Sequence, residues 1–351
     1  MRTTRLLAAA LALCPALAGA QGAPIRTVKL ADGVHAVLRS HKAEPADPNT
    51  TIIINEHDVI VVDANIVTSS SRRVIDEIRK LTDKPVRYVI NTHAHSDHHY
   101  GNQAYREAWP GVEFIAHANT RADILTTDIP TFDRNRDVEY PKALAAMREM
   151  LRKGTDDAGV ALTEERKARV RRRIGVYEWY LKESATFRPL PPTLTFTDSL
   201  VLHRGERSIV VRHLGRANTR GDVIVHLPRE RVLATGDIVV SPIPYAFGSF
   251  LGDWTAVLKA LQQYPADMIV PGHGELQRDW SYVRRLESLF TATLDRVRTA
   301  SADGAPLDSV RARVKLDDFR TPFAGTDPDE NRAFDLLVST AVERAYEEVK
   351  K

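Results

Sequence analysis

The chain has 351 residues, 43% of them hydrophobic and 27% charged, which excludes a disordered or fibrous polymer and fits one large folded domain or two ordinary ones. Its formal charge is +3; Arg2 and Arg5 supply two of that, and 3 − 2 leaves +1, so the basic balance is no argument for nucleic acid. One cysteine, Cys14, excludes a disulfide framework.

Residues 1–20 read as a secretory signal: Arg2 and Arg5, an apolar stretch from Leu6 to Leu17, then Ala18-Gly19-Ala20 before Gln21. The apolar stretch is too short to span a bilayer. Cleavage after Ala20 predicts a periplasmic or secreted protein without a membrane span and without Cys14. The rival reading is a lipoprotein acylated at Cys14, which the bulky Leu13 before it fits poorly.

Four β-rich runs follow at 25–30, 34–38, 51–55 and 58–62, the last two forming a hairpin about Glu56-His57. Residues 69–81 read as a helix, with Val74, Ile75, Ile78 and Leu81 on one face and Ser69 to Ser71 offering a cap. A strand at 86–91 leads into His93-Ala94-His95-Ser96-Asp97-His98, three imidazoles and a carboxylate within six residues. His93 and His95 point the same way on an extended backbone, whereas Asp97 and His98 lie past a turn and can face a second point. Such donors suit zinc or a similar first-row ion such as manganese or iron, and two groups of ligands suggest two ions per chain. A helix at 102–109 and a strand at 112–116 come next.

Between about Asn119 and Pro192 the β pattern stops. Residues 142–153 and 163–183 read as helices, the second with Val170, Ile174, Tyr177 and Leu181 at helical spacing. The basic run from Arg169 to Arg173 reads as the solvated face of that helix, whose first turn carries Glu164 and Glu165, rather than as a nucleic-acid patch. This insertion is expected to lean over the metal loop and shape a pocket. Strands resume at 194–197, 200–203, 208–213, 223–227 and 232–234. A helix at 254–263 precedes a strand at 268–270, and a largely helical tail from Asp279 includes 334–349.

The run His93-Ala94-His95-Ser96-Asp97-His98 after a strand resembles the signature of the metallo-β-lactamase superfamily. Its companions come in the family's order: Val59-Ile60-Val61-Val62-Asp63 upstream, then Gly215-Arg216-Ala217-Asn218-Thr219-Arg220-Gly221-Asp222, Thr235-Gly236-Asp237, and Pro271-Gly272-His273-Gly274. The resemblance covers roughly residues 25–295. It implies an α/β fold, an αββα sandwich with a helical insertion at 119–192 and a helical C-terminal extension at 296–351, in one domain spanning 21–351.

It also implies a site. The first zinc would take His93, His95, Asp237 and Asn218; the second Asp97, His98, His273 and the bridging Asp237. Asn218 stands where the family usually has a third histidine, and an amide is a weaker donor than imidazole. His213, five residues earlier, is an alternative ligand. The implied catalytic carboxylates are Asp97 and Asp237, with Asp63 orienting a ligand and Asp222 in a similar structural part. Arg216, Arg220 and Tyr245 are candidates for substrate contact; Tyr100 and Phe247 are pocket-wall or core aromatics. The implied reaction is attack of hydroxide on the carbonyl of a small-molecule ester, lactone, thioester or β-lactam. A metal- or ligand-binding module with a decayed first site is the alternative.

Overall fold

The computed structural model describes residues 24–40 and 47–350; the expected signal, its cleavage point and Cys14 lie outside the described residues. Two sheets stack face to face. The first has seven strands in sequence order: β1 (Ile25–Ala31), β2 (Val34–Arg39), β3 (Thr50–Ile54), β4 (Val59–Val62), β5 (Val86–Ile90), β6 (Glu113–His117) and β7 (Leu194–Phe196). β1 to β4 pair antiparallel and β4 to β7 parallel. The second holds β8 (Ser199–Arg204), β9 (Arg207–His213), β10 (Val223–Leu227), β11 (Val232–Val240) and β12 (Met268–His273), ordered β12-β11-β10-β9-β8. All its pairs are antiparallel except β11 with β12.

Alternation along the strands builds three layers of core. Val34, Ala36, Leu38, Ile53, Ile60 and Val62 face the second sheet, meeting Ile209, Val211, Val223, Val225 and Val270. Their neighbours Val37, Ile52, Val59 and Val61 turn to the opposite face. There they pack on Val74, Ile75 and Ile78 of α1 (Thr68–Leu81) and on Ala104 and Tyr105 of α2 (Asn102–Ala108).

Between β6 and β7 lie α3 (Ala118–Asp123), α4 (Ile129–Arg134), α5 (Tyr140–Lys153) and α6 (Glu164–Ser184). Phe132, Tyr180 and Phe187 of this segment enclose Tyr100 of the metal loop, so the insertion is seated on that loop. The outer face of the second sheet is covered by α7 (Leu251–Leu261), α8 (Ser281–Ala300), α9 (Leu307–Arg313), α10 (Asp317–Ala324) and α11 (Pro328–Val349). Trp254 is fully buried there, 4.9 Å from the Phe290 ring, and donates its indole N–H to Ile238 O at 3.1 Å. Among the described residues no helix is long and apolar enough to cross a membrane.

Several elements differ from their sequence expectation. α1 begins at Thr68 with no side-chain cap, because the expected cap serines serve the loops before it: Ser70 donates to Asp47 at 2.6 Å and Ser71 to the carbonyl of Ala64. Helix starts at Ala118, not near 142, and continues through wide π turns at Ile124–Asp128 and Asn135–Glu139. The boundary expected at 296 falls inside α8. β11 runs on to Val240 through Gly236, whose φ of +50° is open to glycine and strained for other residues. A Cβ there would lie 2.4 Å from Thr92 Oγ1, so the glycine lets the strand press against the metal loop.

Candidate metal centre

The loop after β5 is shaped by buried amides. Asn91 Nδ2 donates to His98 O at 3.0 Å and to Asn102 Oδ1 at 3.1 Å, folding the chain into a short 3-10 turn at Ser96–His98. Asp63, at the end of β4, accepts from Thr92 N at 2.8 Å and Thr92 Oγ1 at 2.9 Å, and sits 2.8 Å from His98 Nδ1. Thr92 Oγ1 is in turn 3.0 Å from His93 Nδ1. With their outer nitrogens engaged, His93 and His98 turn Nε2 inward. The second sheet answers with Asp237 on β11, His273 at the end of β12, and Asn218 in the loop between β9 and β10.

Asp237 stands between two groups and offers each one oxygen. Its Oδ2 is 3.7 Å from His93 Nε2 and 3.4 Å from Asn218 Nδ2, which is itself 3.3 Å from His95 Nδ1. Its Oδ1 is 3.3 Å from His98 Nε2 and 3.6 Å from His273 Nε2. Asp97 Oδ2 closes the second group, 3.0 Å from His273 Nε2 and 3.4 Å from His98 Nε2. His93, His95 and Asp237 form one potential metal-holding set; Asp97, His98 and His273 form another.

Three atoms of the two ligand groups are buried without a hydrogen-bond partner, His93 Nε2, His98 Nε2 and Asp237 Oδ1, and Asn218 Oδ1 is unpartnered too, although its amide turns Nδ2 toward His95 and Asp237. Buried polar atoms are nearly always satisfied, and the three ligand atoms belong to two groups of imidazole and carboxylate donors. The residues therefore fit a pair of divalent cations.

Burial, aided by neighbouring His98, lowers the pKa of His93 well below the usual histidine value, and burial also lowers His95, so both imidazoles are neutral donors. Burial opposes charge on His98 as well, but the carboxylates of Asp63, Asp97 and Asp237 outweigh it and raise that pKa. His273 is raised against burial by Asp237 and Asp97. Burial alone would raise both aspartates; His98 and His273 instead hold Asp97 and Asp237 below the usual carboxylate range.

The other candidates join neither ligand group and make contacts of their own. Arg216 is closed on Asp253 at 2.6 Å and lies over the Phe250 ring, while Arg220 pairs with Asp123 of α3; each guanidinium has its own carboxylate. His213 joins neither ligand group: its Nδ1 sits 2.8 Å from Asp222 O and its ring stacks on His117. Asp222 accepts from Thr219 N at 2.7 Å and Thr219 Oγ1 at 2.9 Å, which pins the Asn218 loop, and burial pushes its pKa up to about 7. Tyr100 is core, 5.1 Å from the Phe132 ring. Tyr245 and Phe247 stay exposed on the loop after β11.

Two features escaped the sequence reading. His99, buried behind the ligands, has Nε2 3.1 Å from Asp128 Oδ2 and so ties the metal loop to the insertion. Glu348 of α11 accepts the first N–H groups of α7. Both are contacts between distant segments, and no local pattern announces them.

Comparison with known proteins agrees with this geometry. The family described as Metallo-beta-lactamase superfamily matches residues 43–273. A linear primary-alkylsulfatase of Pseudomonas sp. (strain ATCC 19151) is 28% identical over 227 residues, covering 62% of this chain and 39% of the relative. A metallo-beta-lactamase type 2 of Bacillus sp. (strain 170) is 22% identical over 249 residues, 69% of this chain and 73% of that protein. Among solved structures, the sec-alkylsulfatase Pisa1 from Pseudomonas sp. has a TM-score of 0.60 at 15% identity, covering 92% of this chain and 50% of its own. The metallo-beta-lactamase from Pontibacter korlensis has a TM-score of 0.54 at 17% identity, covering 76% of this chain and 99% of its own. The chain thus spans half or less of the alkylsulfatases it matches, and the structural likenesses speak for the fold. The family match, spanning both ligand groups, places this chain in the metallo-beta-lactamase superfamily.

Proposed function

We propose that the protein is an exported, two-zinc hydrolase that cleaves a carbonyl ester, lactone, thioester or β-lactam in a small molecule. The observation that carries this is Asp237, buried between two ligand groups with one oxygen toward each. His93, His95, Asp237 and Asn218 would hold one ion; Asp97, His98, His273 and the other oxygen of Asp237 would hold the second. Zinc bound there supplies Lewis acidity, bringing the pKa of water from about 16 towards about 7 and steadying negative charge on the substrate oxygen. Asp63 fixes the His98 ring and its tautomer. Asp97, whose side chain is 20% exposed, would stand with Asp237 as the second carboxylate of the centre, ionised and ready to orient the attacking water. Manganese and iron suit the same donors less selectively.

A second reading, hydrolysis of a sulfate ester, is favoured by the 28% identity to the alkylsulfatase. One panel separates them: esters, lactones, thioesters, β-lactams and alkyl sulfates, offered to zinc-, manganese- and iron-loaded protein. Turnover that disappears together with bound metal in Asp237→Ala supports the proposal. Failure on every substrate with every metal would leave a metal- or ligand-binding module. Export is tested separately, by mass spectrometry of the native N-terminus; an intact Met1 or a lipidated Cys14 would refute cleavage at Ala20.

A further inference from the structure

The loop 241–250 crosses from one ligand segment to another. It leaves β11 beside His273, where Ser241 N donates to His273 O at 3.1 Å, and reaches α7 beside the Asn218 loop, where Phe250 N donates to Ala217 O at 2.9 Å. Its ends are fastened from behind. Tyr282 Oη donates to Val240 O at 2.6 Å and Pro242 O at 2.9 Å, and Arg344 Nε donates to Ser249 O at 2.8 Å. Between these anchors Tyr245 and Phe247 stack, with ring centroids 6.4 Å apart and planes 17° from parallel, yet remain 42% and 50% exposed. Tyr245 lies near enough to Asp237 and Asp97 that, beyond burial, their charges help raise its pKa. Exposed aromatic surface on a tethered loop is costly in water and is recovered when a ligand covers it.

The charge around the centre points the same way. Histidines apart, the ligand-bearing segments 91–101, 214–222, 235–250 and 271–277 carry two cationic side chains, Arg216 and Arg220. Both are already closed on carboxylates, Asp253 and Asp123. Those segments offer an apolar shelf and no spare cation for a carboxylate or sulfate on the substrate.

We infer that Tyr245 and Phe247 form an acyl subsite, so that the preferred substrates are neutral esters, lactones or thioesters of medium-chain or aryl acids. Carboxylate-bearing β-lactams and alkyl sulfates are disfavoured. This rests on the hydrolase reading and narrows it. Each methylene fully covered by the rings would improve KM about fourfold, so partial cover of a hexanoyl chain gives about a tenfold gain over acetyl.

The test compares ethyl acetate, ethyl hexanoate, monoethyl adipate and hexyl sulfate with zinc-loaded protein, followed by acid release. The expected result is a hexanoate-over-acetate preference in kcat/KM of at least about tenfold, falling at least about fivefold in Tyr245→Ala and in Phe247→Ala. Val160→Ala, on the exposed turn before α6, should keep the preference. Equal handling of acetate and hexanoate, a preference untouched by the ring deletions, or faster turnover of the adipate half-ester or the sulfate would overturn the inference. Calorimetric binding of phenylacetamide gives a readout independent of turnover: it should weaken at least about fivefold in Tyr245→Ala, and no binding to the wild type overturns the subsite. If neither these compounds nor the wider panel of lactones, thioesters and β-lactams is hydrolysed with any metal, yet phenylacetamide binds through the rings, the hydrolase reading fails and the subsite stands.

Discussion

Asp63→Asn is nearly isosteric and asks whether the carboxylate behind the ligands governs metal affinity. Asp63 accepts from Thr92 N and Thr92 Oγ1 and faces His98 Nδ1, at 2.8, 2.9 and 2.8 Å. The carboxylate makes His98 carry its proton on Nδ1, leaving Nε2 bare toward Asp97 and Asp237. An amide keeps one oxygen for Thr92 N but turns its NH2 toward His98, whose Nδ1 then accepts and whose proton moves to Nε2. That nitrogen can no longer bind a cation. Partners of this kind are typically worth 10- to 100-fold in metal affinity, or about 1.4–2.7 kcal/mol. The assay is zinc titration against a chromophoric chelator, with a thermal melt of metal-free protein alongside. The site of Asp97, His98 and His273 should weaken by that factor while the other site changes less. Two sites at wild-type affinity would refute the tautomer argument, and loss of both together with a collapsed melt would show that Asp63 acts on the fold instead.

Three further outcomes are expected. Asn218→His should tighten the weaker site, because imidazole is the stronger donor to zinc, and calorimetry should show two unequal sites in wild type drawing together; equal sites in wild type contradict this. Gly272→Ala would put a Cβ 2.0 Å from Asp237 Oδ1 and 2.8 Å from Gly236 C, so elemental analysis should find less bound metal, and undiminished content would argue that the strand can yield. Asp222 has its folded pKa raised by burial to about 7, so its contribution to stability is full below the unfolded value near 3.8 and is lost as pH rises towards about 7. Three units correspond to roughly 4 kcal/mol as an upper figure. Urea unfolding of metal-free protein should therefore show Asp222→Asn gaining on wild type between pH 5 and pH 8; a pH-independent difference would show that the carboxyl is ionised throughout.

The parts of this molecule that follow from local pattern could be read from the sequence. His93 to His98 and His273 sit at the ends of apolar strands, Asp237 follows the apolar start of β11, and Val74, Ile75 and Ile78 repeat at helical spacing. The first half of the insertion resisted because π turns at 124–128 and 135–139 break the regular period and Thr126, Thr127 and Pro130 weaken the helical signal. The end of β11 was hidden by Gly236, an ordinary strand breaker that here permits close approach to Thr92. Arg216 and Arg220 looked available because Asp253 and Asp123, their partners, meet them only after folding. His99 and Asp128 likewise become a pair only when the insertion docks.

The division of ligands between the sheets has a consequence for the order of events during folding. His93, His95, Asp97 and His98 ride on the first sheet; Asn218, Asp237 and His273 ride on the second, far along the chain. Neither half alone presents a complete site, so cations reward only the docked state, and the loop closure that brings the halves together must come first. Metal should then lengthen the lifetime of the assembled sandwich rather than nucleate it. In hydrogen exchange, the slowest amides of β5 and β11 should slow together on zinc addition, as if the two sheets had become one cooperative unit.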